Sequence, residues 1–535
     1  MKRRCAPDSI SALEVVIQQI GVTIMRLQLI RLGLHSVFLA LAAMANAAAA
    51  AERPNFLIIL CDDLGYGDLA GYGHPVIKTP HLDALAREGM RLTDCYSAAP
   101  VCSSSRAGMM TGRTPSRIGI YDWIPAGHPM HLLREEITIA SLLKQAGYAT
   151  CHVGKWHLNG KFNQPEQPQP GDHGFDHWMS TQNNAGPSHE NPANFVRNGE
   201  RIGVQQGFSC QIVADEAIVF LKEKRDKTQP FFQFVCFHEP HEPIASPPEL
   251  VDEYKPLAKK PIDDTRGKPG ASANVDPDPE RDNLGRAMFY ANVANVDRAV
   301  GRILAALDEF KFSENTLVFF SSDNGPETLN RYATGWRSHG SPGPLRGMKL
   351  HLYDGGIRVP GILRWPARIK SGQIISEPVC SLDVLPTFCE LAGIEPPADR
   401  ALDGTSIVPL LDGKPLTRKT PLFWHYYRSL TGPKAAMRVG DWMVLGAWDD
   451  TALPQGVVVR GDVELIKSRK LTRFELYNVR RDVGETTDLS AQEPQRLKEL
   501  SALLVAKYEE VQQQAPRWDD LPELNAAKAK GKKAN

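Results

Sequence analysis

The chain has 535 residues, with 62 Lys and Arg against 62 Asp and Glu, so its formal net charge at pH 7 is zero. A balanced charge provides no electrostatic attraction to nucleic acid, and we exclude that partner. The length and a hydrophobic content of 42% allow a large core and more than one domain. Nine scattered cysteines without a C-x-x-C pair argue against a disulfide scaffold and a structural zinc site.

The first fifty residues are typical of a secretory signal. A positively charged segment begins at Met25, an apolar stretch covers residues 32–43, and small residues follow as a cleavage zone. We therefore predict that residues 1–50 are a signal peptide region, that Met25 is the true start, and that the protein is exported to the periplasm or secreted. An uncleaved signal anchor is the alternative. We predict no transmembrane segment, because no later apolar run is long enough to cross a bilayer.

The first predicted strand, residues 56–61, is continuously apolar, as in a strand that is buried on both faces. It stops at Asp62 and Asp63. Two adjacent carboxylates at the end of a core strand are costly unless they are neutralised, and a divalent cation is the usual remedy. A pair of exposed loop aspartates is the alternative.

Residues 101–113, V-C-S-S-S-R-A-G-M-M-T-G-R, predict a short helix with small polar residues at its N-cap. The free N–H groups and the dipole of such a helix favour an anion beside Cys102, and Arg106 adds a fixed positive charge. A capped helix without chemistry is the alternative.

Three further predicted strands end in charged or polar residues. They are 148–153 before Lys155 and His157, 231–237 before His238 and His241, and 316–321 before Asp323 and Asn324. Lys349 lies in a glycine-punctuated loop. Because ligands of open α/β sheets bind outside the carboxyl ends of the strands, we expect these clusters to converge. A solvated turn is the alternative for the two histidines.

The other predicted elements complete an α/β pattern. Helices are predicted from Pro80 and at about 138–145, 214–224, 287–310, 378–391 and 495–512. Residues 163–207 are predicted to form a long surface loop, and 256–282 an exposed insertion. Shorter strands at 422–427, 442–445, 456–459 and 473–477 indicate an antiparallel subdomain. Cys380 and Cys389 are candidates for a disulfide, which their spacing alone does not decide.

Six sequence blocks, in order, resemble the type I sulfatases across most of residues 54–410. They are L-C-D-D-L-G-Y-G-D-L, V-C-S-S-S-R-A-G-M-M-T-G-R, V-G-K-W-H-L, P-H-E-P, S-S-D-N-G, and L-R-G-M-K-L with D-G-G-I-R-V-P. The resemblance implies an alkaline-phosphatase-like α/β/α sandwich with a smaller C-terminal antiparallel-sheet subdomain. We accordingly expect a catalytic domain at 53–414, a C-terminal subdomain at 415–520 and a flexible basic tail at 521–535.

The resemblance also implies a role for each matched residue. Cys102 would be oxidised to formylglycine (3-oxoalanine) by a formylglycine-generating or maturase enzyme, and its hydrated aldehyde would be the nucleophile. One calcium ion would be held by Asp62, Asp63, Asp323, Asn324 and the modified Cys102. Arg106 and Lys155 would hold the formylglycine and the sulfate, and His157 would be the base that expels sulfate. His241, rather than His238, would bind sulfate or protonate the leaving alcohol, and Lys349 would make a second contact.

The sequence departs from the family pattern at Ser104, where the family usually has proline, and at Asp354, where relatives commonly carry glutamate. We predict hydrolysis of sulfate esters, on a sulfated carbohydrate or an aryl sulfate. A phosphomonoester or phosphonate-ester hydrolase, and a non-catalytic protein that binds sulfated glycan, are the alternatives. The segments 183–184 and 189–194 are candidate sugar contacts, or alternatively loop caps.

Overall fold

A computed structural model describes residues 53–259, 278–327, 331–449 and 460–516. The predicted signal region 1–50, the predicted strand 456–459 and the predicted tail 521–535 lie outside the described residues, as does most of the predicted insertion 256–282. The part of that insertion from Pro279 onward belongs to a helix instead of an exposed loop. Within the described ranges, no helix combines the length and the apolar character that crossing a bilayer requires.

A mixed 11-stranded sheet forms the centre of the described structure. Its strands are β1 (Asn55–Asp62), β2 (Met90–Tyr96), β3 (Ala149–Lys155), β4 (His177–Thr181), β5 (Val196–Arg197), β6 (Glu200–Arg201), β7 (Phe231–Pro240), β8 (Thr316–Ser322), β9 (Arg358–Arg364), β10 (Gln373–Ile375) and β11 (Val379–Cys380). The order is β10-β2-β9-β8-β1-β7-β3-β4-β5-β6, with β11 paired to β2. Strands β8, β1, β7, β3 and β4 run parallel to one another, so their carboxyl ends lie on one edge.

Helices cover both faces of this sheet, except that the last described helix packs on a smaller second sheet. They are α1 (Pro80–Glu88), α2 (Cys102–Thr111), α3 (Ile139–Gln145), α4 (Ser209–Val219), α5 (Pro248–Tyr254), α6 (Pro279–Glu309), α7 (Asp354–Ile357), α8 (Val384–Ala392), α9 (Val408–Leu411), α10 (Arg460–Ser468) and α11 (Pro494–Gln514). Alternate residues of β1 point to opposite faces. Phe56 and Ile58 join a core with α3 and α8, whereas Leu57 and Ile59 join a second core with α4 and α6. The result is an α/β/α sandwich.

A second sheet is antiparallel, as the spacing of the C-terminal strands predicts. Its strands are β12 (Leu422–His425), β13 (Pro433–Val439), β14 (Trp442–Ala447) and β15 (Arg473–Asn478), in chain order. Strand β13 is missing from the prediction, because P-K-A-A-M-R-V is poor in β-branched and aromatic residues. Trp424 of β12 packs with Tyr96 of the large sheet, so the two sheets share buried surface.

Three further sequence predictions differ from the structure in the extent or the kind of an element. The predicted loop 163–207 contains β4, a fully buried strand that pairs with β3. The predicted helix 378–391 begins only at Val384, because Val379 and Cys380 pair with β2 before the chain turns. The helix predicted at 214–224 begins earlier, at Ser209, and its last turn is a wider π turn over Phe220–Lys224. Cys380 and Cys389 are both free thiols.

Candidate active site

The carboxyl ends of four neighbouring strands bring most of the predicted site residues to one edge of the sheet. Strand β1 ends at Asp62, β3 ends at Lys155, and β8 is followed directly by Asp323. Strand β7 ends at Pro240, one residue before His241. The expected convergence of these clusters is therefore what the sheet topology produces.

Asp63 leaves the strand with a left-handed backbone, at a φ of 64°. Successive strand residues point to opposite faces, and this change of backbone allows both Asp62 and Asp63 to face the same cluster. The Asp63 N–H donates to Asp323 Oδ1 at 3.2 Å, and Asn324 Nδ2 donates to Asp63 Oδ1 at 2.7 Å. All four side chains are at most 2% exposed.

Cys102 is the first residue of α2, and its N-cap is Val101. The three serines lie inside the helix instead of capping it, so the N-cap lies at least two residues earlier than the small polar residues predict. Cys102 Sγ lies within 4.8 Å of a carboxylate oxygen from both Asp62 and Asp323. Burial raises the pKa of the Cys102 thiol well above its usual range, so an unmodified thiol here stays protonated and is a weak nucleophile.

Two buried cations, Arg106 and Lys155, donate hydrogen bonds to the carboxylates of the cluster. Arg106 Nε donates to Asp323 Oδ2 at 2.9 Å, and its Nη1 donates to the backbone oxygen of Lys155 at 2.9 Å. The Lys155 ammonium donates to Asp62 Oδ2. Burial alone would raise the pKa of Asp62, but Lys155 and the other nearby cations outweigh it and hold that pKa well below its usual range.

A third buried cation, Lys349, approaches from the loop after β8. Its Nζ donates to Asp63 Oδ2 at 2.8 Å and lies 3.4 Å from Glu327. Glu327 in turn accepts two hydrogen bonds from Arg331, at 2.8 and 2.6 Å. Sequence reasoning missed Glu327, although it stands only three residues after Asn324 in the same polar segment.

The donor set fits a hard divalent cation. Asp62 Oδ1 and Asn324 Oδ1 are buried oxygens without a hydrogen-bond partner among the described residues. Burial, together with repulsion from Asp62, raises the pKa of Asp63 to about 6 and that of Asp323 to about 7. Crowded carboxylate and amide oxygens with unused lone pairs are the ligands that calcium prefers.

The predicted histidines occupy different surroundings. His157 and His241 both line an open cavity above Cys102, whereas His238 is buried and pairs with Thr181 Oγ1 at 2.8 Å. Burial, with Lys155 second, lowers the pKa of His157 well below its usual value. Burial, with Lys349 second, lowers that of His241 to about 3. Both imidazoles are therefore neutral near pH 7.

The cavity has a volume of about 1500 Å³, including solvent at its mouth. Among the described residues it is lined by Val101, Cys102, Trp123, His157, Asn183, Asn184, His241, Arg331, Tyr332, Lys349, Leu350, Tyr426, Arg428 and Leu430. The candidate sugar contacts Asn183 and Asn184 are among them, but His189 is fully buried elsewhere. Sequence reasoning missed the lining aromatic and arginine residues, which carry no motif of their own.

A family model described as Sulfatase matches residues 54–394, which is more than half of the chain. The chain belongs to the sulfatase family. This sulfatase is 34% identical over 438 residues to the N-acetylgalactosamine-6-sulfatase of Canis lupus familiaris, covering 76% of each chain. It is 31% identical over 465 residues to the steryl-sulfatase of Mus musculus, covering 71% of this chain and 69% of that relative.

Solved structures of sulfatases share the fold. The structure of Ps i-CgsB in complex with k-i-k-neocarrahexaose aligns with a TM-score of 0.69 at 26% identity, covering 87% of this chain and 94% of that one. The PsFucS1 sulfatase from Pseudoalteromonas sp. aligns with a TM-score of 0.65 at 25% identity, covering 89% and 93%. The fold is alkaline-phosphatase-like, and the protein is a sulfuric ester hydrolase.

Proposed function

We propose that this sulfatase hydrolyses sulfate esters of a carbohydrate, using formylglycine at position 102 and one calcium ion. The observation that carries the proposal is the gathering of Cys102, Asp62 and Asp323 within 4.8 Å of one another, beside a cavity that both polar and apolar side chains line. The name of the canine relative, N-acetylgalactosamine-6-sulfatase, and the neocarrahexaose bound to Ps i-CgsB support a sugar substrate.

Asp62, Asp63, Asp323 and Asn324, with residue 102, are the proposed calcium ligands. A calcium ion held there would supply positive charge beside the sulfate group and the attacking oxygen. Lys155 and Arg106 add charges that their carboxylate partners hold in place. Such preorganised charges stabilise a transition state without having to reorient during the reaction.

Proton transfer is assigned to the histidines. His157 is neutral and buried beside the site, so it is free to take a proton from the hydroxyl that remains on residue 102. His241 Nδ1 donates to the Glu242 carbonyl at 2.6 Å, which leaves Nε2 facing the site. His241 and Lys349 both line the cavity, and we assign them to the sulfate and to the leaving alcohol.

Three further assignments complete the proposal. The protein is exported to the periplasm or secreted, and a formylglycine-generating or maturase enzyme converts Cys102. The catalytic domain covers 53–414, and the C-terminal subdomain covers 415–520. The motivating features are the signal-like N-terminal sequence and the resemblance of residues 101–113 to the cysteine motif of the family.

The direct test compares the wild-type protein with Cys102→Ala, both co-expressed with a converting enzyme. Sulfate release from sulfated sugars and from 4-nitrophenyl sulfate should fall by at least about a thousandfold in the variant, because the nucleophile is lost. The control is Cys389→Ala, which removes a buried thiol of α8 that does not line the cavity and should keep the activity.

The same preparation distinguishes the alternatives. Turnover of 4-nitrophenyl phosphate well above that of the sulfate would favour a phosphoester hydrolase. Peptide mass spectrometry around Cys102 should show the mass of formylglycine. An intact thiol, together with retained binding of sulfated glycan, would instead indicate a non-catalytic binding protein.

A further inference from the structure

One wall of the cavity comes from the small sheet. Residues 426–431, which lie in the connection between β12 and β13, contribute Tyr426, Arg428 and Leu430 to the lining. This connection, here called the 426–431 loop, belongs to no sequence motif in the site. It nevertheless brings a guanidinium to the same cavity as Cys102.

Arg428 is held by a buried carboxylate. Asp122 is fully buried, and its Oδ2 accepts from Arg428 Nη1 at 2.9 Å. Its Oδ1 accepts from the backbone N–H of Trp123 at 2.9 Å and from the Tyr426 hydroxyl at 3.0 Å. Both oxygens of Asp122 are therefore engaged, and they fix the position of the arginine.

The segment that carries Asp122 is itself attached to α2. Ser104 Oγ donates to the backbone oxygen of Ile120 at 3.1 Å, and Ile124 N–H donates to Ser103 Oγ at 3.0 Å. The position of Arg428 is thus set relative to the helix that begins at Cys102.

The 426–431 loop is also fixed from its other side. Leu430 N–H donates to the backbone oxygen of Leu350, the residue after Lys349, at 3.0 Å. Lys434 Nζ donates to the backbone oxygen of Ser429 at 2.7 Å. A loop that is held by several hydrogen bonds loses little conformational entropy when a ligand binds.

Arg428 differs from the other long cations of the cavity in how many of its donors are occupied. Arg331 engages Glu327 with both arms of its fork, and Lys349 contacts Asp63 and Glu327. Arg428 makes a single hydrogen bond among the described residues, although a guanidinium carries five N–H donors. Its side chain is 29% exposed.

We propose that Arg428 recognises a second anionic group on the substrate, a sulfate or a carboxylate, beside the sulfate that is cleaved. A planar fork with free donors matches the oxygens of either group. The inference rests on the proposed function, and it narrows the substrate class to sugars with more than one negative charge.

The test measures kcat/KM of the converted enzyme for N-acetylgalactosamine 6-sulfate and for the 4,6-disulfate. A 6-sulfated disaccharide that contains a uronate tests whether a carboxylate can take the place of the second sulfate. The kcat/KM for the doubly charged substrate, divided by that for the singly charged one, should fall about tenfold in Arg428→Gln. The fall should come mainly from KM, because a charge-assisted contact is lost. Arg428→Lys keeps the charge without the fork and should give an intermediate ratio, which maintains the test if the glutamine variant folds poorly.

Arg368→Gln is the matched control. Arg368 pairs with Asp412 at 2.8 Å and is 30% exposed, but it does not line the cavity, so its ratio should equal that of the wild type. An unchanged ratio in both Arg428 variants would overturn the inference while leaving the proposed function intact. A wild-type enzyme that releases sulfate from no substrate would overturn the proposed function and this inference with it.

Discussion

At the scale of single residues, Ser104 shows how a departure from the family pattern is accommodated. Its hydroxyl contacts the backbone oxygens of Ile120 and Asp122 at 3.1 and 3.4 Å, which proline could not do. The neighbouring Ser105 is equally buried, but its hydroxyl has no hydrogen-bond partner among the described residues. The two serines therefore form a natural comparison.

We expect Ser104→Ala to lower the free energy of unfolding by about 1 kcal/mol, the usual net value of one buried hydrogen bond. Ser105→Ala should leave it unchanged or raise it slightly, because no bond is lost. Urea denaturation followed by tryptophan fluorescence measures both values. Equal losses in the two variants would contradict the role given to the Ser104 hydroxyl.

The residues with a chemical signature in the sequence were predictable, and the others were not. Asp62 and Asp323 each stand at the end of an apolar run, next to a second residue with a side-chain oxygen, and the sequence alone shows this pattern. Arg428 and Asp122 are separated by about three hundred positions and meet only because the small sheet packs on the large one. No local pattern encodes that contact.

At the scale of elements, α11 is connected to the turn after α2 through one buried carboxylate. Asp403 accepts from Arg117 Nη2 at 2.8 Å, from Lys507 Nζ of α11 at 2.8 Å, and from the Thr114 N–H at 2.7 Å. Burial alone would raise the pKa of Asp403, but Arg117 and Lys507 outweigh it and lower that pKa to about 2.

This shift predicts a pH-dependent contribution to stability. Because the pKa of Asp403 is lower in the folded chain than its ordinary value of about 3.9, its contribution is complete above about pH 5 and is lost as the pH falls toward 2. Asp403→Asn should cost about 3 kcal/mol of unfolding free energy at pH 7, and the difference from wild type should shrink by pH 3.

Urea titrations at pH 7, 5 and 3 measure this dependence. Asp399→Asn is the control, because Asp399 is an exposed partner of Arg400 and should change the stability by less than about 0.5 kcal/mol. A difference between wild type and Asp403→Asn that is constant from pH 7 to pH 3 would rule out the assignment.

Strands with a continuous apolar run were predicted well, and elements whose sequence lacks such a run were not. The continuous apolar runs of β1, β7 and β8 specify central strands without ambiguity. Strand β4 reads H-W-M-S-T and lies in a stretch rich in Pro, Gly and Asn, so its pairing with β3 comes from tertiary packing alone. The same holds for the late start of α8.

At the scale of the whole molecule, the candidate metal ligands connect distant parts of the chain. Asp62 ends β1, and Asp323 follows β8, some 260 positions later. An ion that binds both binds the folded chain and not the unfolded one. By mass action, calcium at a hundred times its dissociation constant would then add about 2.7 kcal/mol of stability.

We therefore expect EDTA to lower the Tm of the wild-type protein and calcium to restore it. Asp323→Asn should abolish most of that calcium-dependent shift, whereas Asp412→Asn, a carboxylate far from the cluster, should retain it. Differential scanning calorimetry at fixed ionic strength separates specific binding from charge screening. A shift of the same size in Asp323→Asn would show that calcium acts elsewhere.

Because of the 426–431 loop, the residues proposed for catalysis and those proposed for substrate selectivity belong to different sheets. The residues proposed to hydrolyse the sulfate ester lie at the edge of the large sheet, and a connection in the small sheet supplies one wall of the cavity. Substitutions among the six residues of the 426–431 loop could therefore change the substrate specificity while the proposed catalytic residues stay as they are.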